Sequence, residues 1–293
     1  MRYILGIDAG GSHTRARLTK LDGAVLGEAE AGPANARIGL EKLHNVLMSV
    51  TRDAIAAAGL DETDMPLITA GMGIAGISRP GMLPAASQLE FPFRSVSLES
   101  DAAIANLGAH LGEDGATLIL GTGSVAYIKI GKVCITIGGY GFPISDEGSG
   151  AALGLSAMRH ALRALDGRTK PTPLSTAVTA QFDHNTGRAI KWMDEATPKD
   201  YADLAPMVMD YAEWNDEIAR SIVEDAVKHV ERFIETIFDK GAPRCALAGG
   251  LSRRLQPWLR ERTAARLTHC KGDSLDGALI LAHPEYRPGS VSR

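Results

Sequence analysis

The sequence has few cysteines, and they lie far apart. Cys134, Cys245 and Cys270 are its three cysteines, and none of them belongs to a CxxC pair. Structural zinc sites and disulfide frameworks depend on clustered cysteines, so this pattern argues against both and fits a reducing compartment. We expect each cysteine to be a small buried apolar side chain.

The sequence also has no stretch of about 18 consecutive apolar residues, so we expect no membrane-spanning helix. The opening segment MRYILGID enters a predicted strand at once and lacks the apolar core of a signal peptide. With a net charge of −4, the chain offers no electrostatic basis for binding nucleic acid or an anionic membrane. These absences predict a cytoplasmic protein.

Several familiar catalytic motifs are missing as well. The first glycine pair is not followed by the lysine that a P-loop requires, and no GxSxG nucleophile motif occurs. The histidines are scattered and predict no metal site. Any catalysis must therefore use a different set of residues.

The first informative segment is LGIDAGGSHTRARL, residues 5–18, in which a glycine pair lies between two predicted strands. Such a turn lets backbone N–H groups converge, and the missing side chains leave room for a bulky anion. Gly10, Gly11 and Ser12 are therefore candidate phosphate ligands. An ordinary hairpin is the commoner explanation for one such turn.

The same order of elements occurs twice. Strands are predicted at 2–8, 14–19 and 24–31, and again within 116–138, where GTGS at Gly121–Ser124 forms the second glycine turn. This layout predicts an internal duplication with two α/β halves that meet near residues 105–115. Two matching turns favour phosphate binding far more than one does, because they could bind successive phosphates of one nucleotide.

Periodic apolar positions predict most of the helices. They are expected at 40–58, 80–89, from Asp101 onward, 148–165, 173–183, 199–214, 216–240 and over the segment SLDGALILAH.

Four further positions are candidates, each with a structural alternative. Asp8 ends a strand before the first turn and could hold Mg²⁺ or cap the turn. Asp101 opens a helix, where an N-cap is the commoner role and a general base the functional one. Asp146 with Glu147 suit sugar hydroxyls or a solvated loop, and Gly249-Gly250 suit a ribose contact or tight strand–helix packing.

These motifs occur together, in an order that resembles one protein family. GIDAGGSHTR, LESDAAIANLGAHLGEDGA, GTGS, FPISDEGSGAALG, LAGGLS and DGALILA resemble the sugar-kinase branch of the actin/Hsp70/hexokinase ATPase superfamily. Within it, the chain is similar to the group of N-acetylglucosamine kinases and BadF/BadG/BcrA/BcrD-type ATPases, and most similar to bacterial glucosamine kinases. The resemblance covers nearly the whole chain.

The resemblance implies an α/β fold of two ribonuclease-H-like domains with an interdomain cleft. It implies domains at 1–108 and 109–293, the second with helical additions and a final helix that packs on the first. ATP and Mg²⁺ are the implied cofactors, and a small amino sugar is the implied substrate, with no nucleic acid or membrane partner. Relatives suggest a homodimer.

The resemblance also implies a role for individual residues. Asp101 matches the catalytic base and Asp8 the acid that organises Mg²⁺. The implied nucleotide ligands are Gly10, Gly11, Ser12, Thr14, Gly121, Thr122, Gly123, Ser124, Gly249, Gly250 and Leu251. The implied sugar ligands are Asn35, Asp101, Gly139, Tyr140, Asp146 and Glu147.

Two departures from the animal-type N-acetylglucosamine kinases bear on the substrate. Tyr140 replaces a tryptophan of the sugar loop, and Ile144-Ser145 precede Asp146. They favour glucosamine, phosphorylated at its 6-hydroxyl, over N-acetylglucosamine. A BadF-type activator of a partner enzyme is a more distant alternative, because its iron–sulfur cluster would need cysteines at other positions.

Overall fold

The computed structural model describes residues 2–288, which form two compact units. Unit 1 contains residues 2–117 and 269–288, and unit 2 contains residues 118–268. The boundary between the units lies at 117/118, within the strand Gly115–Leu120. The domain boundary predicted from the sequence, 108/109, lies within the helix Asp101–His110.

The strands are β1 (Tyr3–Ala9), β2 (Thr14–Lys20), β3 (Val25–Ala31), β4 (Ile68–Ile74), β5 (Ser95–Ser100), β6 (Gly115–Leu120), β7 (Ser124–Ile130), β8 (Val133–Gly138), β9 (Cys245–Ala248) and β10 (Leu267–Thr268). The helices are α1 (Leu40–Ala57), α2 (Met82–Ala86), α3 (Asp101–His110), α4 (Gly150–Leu165), α5 (Pro173–Ala180), α6 (Thr186–Glu195), α7 (Pro198–Ala202), α8 (Ala205–Glu213), α9 (Glu217–Asp239), α10 (Ser252–Leu255), α11 (Glu261–Ala264) and α12 (Ser274–Ala282). Short 3-10 helices cover Ala36–Ile38, Glu62–Leu67 and Gln256–Trp258.

The sheet of unit 1 has the order β3-β2-β1-β4-β5. Tight turns join β1 to β2 and β2 to β3, so these pairs are antiparallel, whereas β4 and β5 run parallel to β1. β4 is buried along its whole length, which explains its continuous apolar sequence. The parallel strands β1, β4 and β5 therefore end at the same edge of the sheet.

Helices cover both faces of this sheet. Side chains of a strand alternate between faces, so Leu5 and Ile7 join the core cluster that α1 completes, while Ile4 packs with Leu279 of α12. α12 also packs against β4 and α3. The predicted helix SLDGALILAH thus belongs to unit 1 although it follows unit 2 in the chain.

Unit 2 repeats the layout of the first sheet, with the order β10-β9-β6-β7-β8. α9 packs against β7 and β9, and α4 packs against a layer of helices formed by α5, α7, α8 and α9. The two sheets have the β, turn, β, turn, β arrangement that the duplication predicts. Within the described residues, no helix has the length and apolar composition needed to cross a membrane.

Some helix predictions were wrong in detail. The single helix expected over 199–214 is two helices, α7 and α8, separated at Asp203 and Leu204. Pro206 at the start of α8 explains the break, because proline suits the first turn of a helix and has no N–H with which to continue the hydrogen bonds of α7. The sequence reading also missed α6, and the helix expected over 80–89 is limited to α2.

Candidate active site

The functional candidates of unit 1 gather at the edge where β1, β4 and β5 end. Strand register aligns Ala9, Ile74 and Ser100 in one row across the three strands. Asp8 lies one residue before this row and Asp101 one residue after it, at the start of α3. Two carboxylates predicted from separate segments therefore lie at one sheet edge.

Asp8 forms an ion pair that the sequence reading missed. It stands opposite Arg15 in the β1–β2 register, and Nη2 of Arg15 donates to Oδ2 of Asp8 over 2.7 Å. Nε of Arg15 is buried and has no hydrogen-bond partner among the described residues. The hairpin could have predicted this ion pair, because a turn over residues 10–13 places Asp8 and Arg15 directly opposite each other.

Asp101 is free of the capping role that its position suggested. Ser100 is the N-cap of α3, and its side chain accepts a hydrogen bond from Ala103 N over 3.1 Å. Oδ1 of Asp101 accepts from Ala102 N over 2.9 Å. Burial raises the pKa of the Asp101 carboxyl, the Ala102 N–H works against that rise, and the negative charge of Asp8 adds to it.

The first glycine loop is a tight turn with an open side. Gly10 N donates to the carbonyl of His13 over 3.0 Å, and a Cβ added to Gly11 would have no described atom within 4 Å. Ser12 is exposed. Thr14 is fully buried and its hydroxyl donates to the Gly32 carbonyl over 2.9 Å, so this side chain stabilises the return of β3.

Asn35 lies beside this loop. Ala34 N donates to the Gly10 carbonyl over 3.0 Å, and Asn35 forms a parallel bridge with Ala75, just beyond β4. Its side-chain oxygen accepts from Arg37 N over 2.9 Å, which caps a short 3-10 helix. The structure thus brings Asp8, the first glycine loop, Asn35 and Asp101 together in unit 1.

The second glycine loop, Gly121–Ser124, connects β6 to β7 in unit 2. Its carbonyls at Gly121 and Thr122 accept from Gly150 N and Ala151 N, at the start of α4, over 2.8 and 3.1 Å. A Cβ added to Gly121 would have no described atom within 4 Å. The loop is therefore anchored on one side and open on the other.

Glycine serves both loops by the room it leaves. Positive φ angles do not occur at the four glycines of these loops, which are Gly10, Gly11, Gly121 and Gly123. These turns therefore do not use glycine for left-handed backbone, whereas the open space at Gly11 and Gly121 is consistent with the expected room for a bulky group.

The loop between β8 and α4 holds Asp146 against the second glycine loop. Asp146 is 8% exposed, and its Oδ1 accepts from Ser124 N over 3.3 Å. A solvated loop is therefore the wrong explanation for Asp146, although Glu147 is exposed. Gly139 packs on Val125, while the Tyr140 side chain is 78% exposed.

The turn at Gly249-Gly250 meets the same place from another strand. Leu251 N donates to the Leu120 carbonyl over 3.0 Å, directly before the second glycine loop. A Cβ on Gly249 would overlap that carbonyl, so tight packing explains this glycine, whose φ is +88°. Gly250 has no described atom within 4 Å of an added Cβ and faces open space. These contacts bring all the unit 2 candidates except Tyr140 together.

The residues present fit a nucleotide and a metal ion that takes few ligands from the protein. Phosphate oxygens accept hydrogen bonds, so they suit the backbone N–H groups of the open glycine loops and the unpartnered Nε of Arg15. Within residues 2–288, no group of three or more His, Cys, Asp or Glu side chains could hold a metal ion. Mg²⁺ commonly takes only one or two carboxylates from a protein and completes its shell with phosphates and water. Asp8 could supply one such carboxylate.

The chain is similar to several known sugar kinases. Glucosamine kinase GspK of Vibrio cholerae is 36% identical and aligns over 99% of this chain and 100% of its own length. An N-acetylmuramic acid/N-acetylglucosamine kinase of Clostridium acetobutylicum is 26% identical over 97% of this chain and 99% of its own. The solved structure of a candidate N-acetylglucosamine kinase from Chromobacterium violaceum has a TM-score of 0.91 and 32% identity, covering 96% and 99% of the two chains.

The solved structure and the two five-stranded sheets confirm the predicted fold class, an α/β protein of the actin-like ATPase type. The profile of one family, described as the BadF/BadG/BcrA/BcrD ATPase family, matches residues 5–273. That match covers far more than half of the chain and includes both glycine loops and every candidate acid. The chain therefore belongs to the BadF/BadG/BcrA/BcrD ATPase family.

Proposed function

We propose that the protein is a glucosamine kinase that transfers the γ-phosphoryl group of ATP to the 6-hydroxyl of glucosamine, giving glucosamine 6-phosphate and ADP. The observation that carries this proposal is Asp101, a carboxyl with a raised pKa at the edge where Asp8 and the first glycine loop also lie. The 36% identity to a glucosamine kinase along the whole chain supports the same substrate.

Asp101 is the proposed general base. Its carboxylate accepts the proton of the 6-hydroxyl while that oxygen forms a bond to the γ-phosphorus and the bond from the γ-phosphorus to the bridging oxygen of ADP breaks. The raised pKa of this carboxyl lies closer to neutral pH, and a carboxylate with such a pKa accepts a proton more effectively. Ser100 supports this role because it caps α3 and leaves Asp101 available.

The other candidates take binding roles in this proposal. Mg²⁺, when bound, neutralises charge on the phosphates, and Asp8 is its proposed protein ligand. The backbone N–H groups of Gly10–Ser12 and of Gly121–Ser124 bind phosphate oxygens. Gly249, Gly250 and Leu251 contact the adenosine, and Asn35, Gly139, Tyr140, Asp146 and Glu147 contact the sugar.

The test is a panel of hexoses and hexosamines with coupled detection of ADP, at saturating ATP and Mg²⁺. We expect the highest kcat/KM with glucosamine and a phosphorylated product modified at the 6-position, identified by NMR. A panel in which no hexosamine supports ADP release above the rate without sugar would refute the kinase assignment.

Substitution of the proposed base gives the first testable prediction. Asp101→Asn should lower kcat by about a hundredfold or more, because the amide cannot accept the proton. The affinity for an ATP analogue, measured by calorimetry, should stay close to wild type. Turnover near the wild-type rate would remove Asp101 from the role of base.

N-acetylglucosamine is the alternative substrate, since two of the similar proteins are described by that activity. An N-acetyl group needs an apolar or aromatic wall, whereas a free amine is protonated and prefers acidic neighbours. In unit 2 the Tyr140 and Ile144 side chains are 78% and 85% exposed and form no enclosed wall. This exposure favours the free amine, and the same panel compares the two sugars directly.

A BadF-type activator role is less well supported. Such a protein would hold an iron–sulfur cluster through closely placed cysteines. Cys245 is buried in β9, and the exposed Cys134 and Cys270 belong to different units. Iron bound to the purified protein would favour this alternative.

A further inference from the structure

The β8–α4 loop, residues 139–149, carries four of the proposed sugar ligands. Its middle gains little from apolar packing at Tyr140 and Ile144, whose side chains are 78% and 85% exposed. Phe142 lies between these two residues in the chain and is half-buried. Phe142 is therefore the side chain that can anchor the middle of this loop to the rest of unit 2.

The end of the β8–α4 loop that precedes α4 is fixed by hydrogen bonds. Ser124 Oγ donates to the Glu147 carbonyl over 2.8 Å, and Ser149 is the N-cap of α4. The middle of the loop lies beside a cavity of about 240 Å³, which Phe142 and neighbouring loop residues line together with α4 and α9. Packing against these two helices therefore leaves the middle of the loop room to move.

Tyr201 of α7 contacts Phe142 directly. The centroids of the two rings are 5.1 Å apart and their planes are tilted by 43°. Tyr201 is 8% exposed, and Trp192 of α6 packs edge-on with its ring at a centroid distance of 4.8 Å. α7 lies so close to α4 that a Cβ on Gly154 would overlap the Tyr201 carbonyl. Tyr201 is therefore a firmly held support for the Phe142 ring.

We propose that Tyr201 is a positioning residue for sugar binding, which acts through Phe142 to hold the β8–α4 loop in the conformation that binds glucosamine. The proposal rests on the proposed function, which assigns residues of this loop to the sugar. Aromatic pairs at this separation add stability beyond the area that they bury. Without the pair the loop adopts other conformations as well, and the apparent affinity for sugar falls with the fraction of molecules that keep the competent one.

Tyr201→Leu tests this role, because it keeps an apolar side chain and removes the ring. We expect the KM for glucosamine to rise by about threefold to tenfold, the size of one aromatic pair. The kcat at saturating glucosamine should change by less than about twofold, since the loop holds the sugar equally in the ground and transition states. The KM for ATP should stay at the wild-type value. Tyr201→Phe keeps the ring and should restore the wild-type KM for glucosamine.

A merely structural role for Tyr201 would give a different pattern in the same assay of ADP release. Loss of folded protein lowers kcat and leaves both KM values unchanged, because the molecules that remain folded are intact. Tyr211→Leu is the matched control, since Tyr211 of α8 forms an edge-on pair with Trp214 in the same unit, with centroids 5.2 Å apart. This control should leave the KM for glucosamine at the wild-type value.

Phe142→Leu tests the same contact from the side of the loop. It should raise the KM for glucosamine by a similar factor, so the test does not depend on the folding of Tyr201→Leu. The double variant should have the KM of either single variant, because both substitutions remove one shared contact. Two factors that multiply in the double variant would show that Tyr201 does not act through Phe142, and would overturn the inference.

The positioning role and the kinase assignment fail in different ways. A wild-type KM for glucosamine in Tyr201→Leu, when the wild-type protein releases ADP with glucosamine, overturns the positioning role and leaves the kinase assignment intact. Absence of hexosamine-dependent ADP release in the wild-type protein overturns the kinase assignment and, with it, the sugar-binding role of the β8–α4 loop.

Discussion

At the residue scale, the proposed base Asp101 lowers the stability of the folded protein. Burial raises the pKa of its carboxyl in the folded chain above the value in the unfolded chain, so the folded state binds the proton more tightly. The sign follows from linkage: stability falls as pH rises from the unfolded pKa through the folded pKa, and the full cost applies at neutral pH. The raised pKa that suits a base therefore destabilises the protein.

This cost predicts that Asp101→Asn is more stable than wild type while being much less active. We expect a higher melting temperature for the variant at pH 7, and a difference that shrinks as pH falls towards about 3.9, the ordinary value for aspartate. Thermal denaturation across that pH range measures it, with Asp53→Asn, an exposed substitution on α1, as the control. A variant less stable than wild type at pH 7 would contradict the prediction.

At the scale of elements, the helix that carries Asp101, α3, packs against α12. The two helices approach each other so closely that a Cβ on Gly277 would overlap the Ile104 carbonyl, and a Cβ on Gly108 would overlap the Asp273 carbonyl. Glycine in a helix normally lowers stability relative to alanine by about 1 kcal/mol. Here the close packing of the two helices stabilises the protein by more than the low helix propensity of glycine destabilises it.

Gly277→Ala should therefore lower the free energy of unfolding by about 2 kcal/mol, the typical cost of overpacking. The sign is informative, since the same change in an unconstrained helix would stabilise it. Denaturant unfolding measures the effect, and Gly32→Ala, where an added Cβ has no described atom within 4 Å, is the control. An equally stable or stabilised Gly277→Ala would show that the helices separate without cost.

Elements with strong local signals could be predicted from the sequence. The glycine hairpins, the three-strand layout of each half and α1, α4, α9 and α12 all follow from periodicity and turn residues. α6 was missed although Asn185 caps it, because its ten residues are polar on average and Ala189 alone among them is buried. The break between α7 and α8 depended on Pro206, a signal that the apolar periodicity outweighed.

The site could be predicted only in part, because some of its features arise from tertiary contacts. Ser100 and Asp101 are both good capping residues, and the sequence alone does not decide which of them caps α3. The contact of Asp146 with Ser124 joins residues 22 positions apart across two loops, and no local pattern encodes it. The Arg15–Asp8 pair, by contrast, follows from the register of the β1–β2 hairpin, which the sequence can predict.

At the scale of the whole molecule, unit 1 is assembled from two distant parts of the chain. Arg17 on β2 joins them: its guanidinium lies 3.2 Å from Asp273 Oδ2 and 3.1 Å from Asp276 Oδ1, both at the start of α12. The side chains of Arg17 and Asp276 are 18% and 13% exposed, so this contact is largely shielded from water. Shielded charges are costly to leave without partners.

Arg17→Met should lower the free energy of unfolding by about 2 kcal/mol, since hydrogen bonds to charged groups are lost and a shielded carboxylate remains unpaired. Arg52→Met is the matched control, because Arg52 and its partner Glu62 are 51% and 66% exposed and such surface pairs contribute little. Chemical denaturation of both variants gives the comparison. Equal losses in the two would mean that the Arg17 contact adds nothing beyond a surface pair.

The discontinuity of unit 1 also determines the order in which the protein can fold during translation. All of unit 2, residues 118–268, leaves the ribosome before α12 does. The nascent chain therefore carries the face of β1 and β4 that α12 covers as exposed apolar surface while unit 2 is still being synthesised. The unit whose synthesis starts first is therefore the unit whose core is completed last.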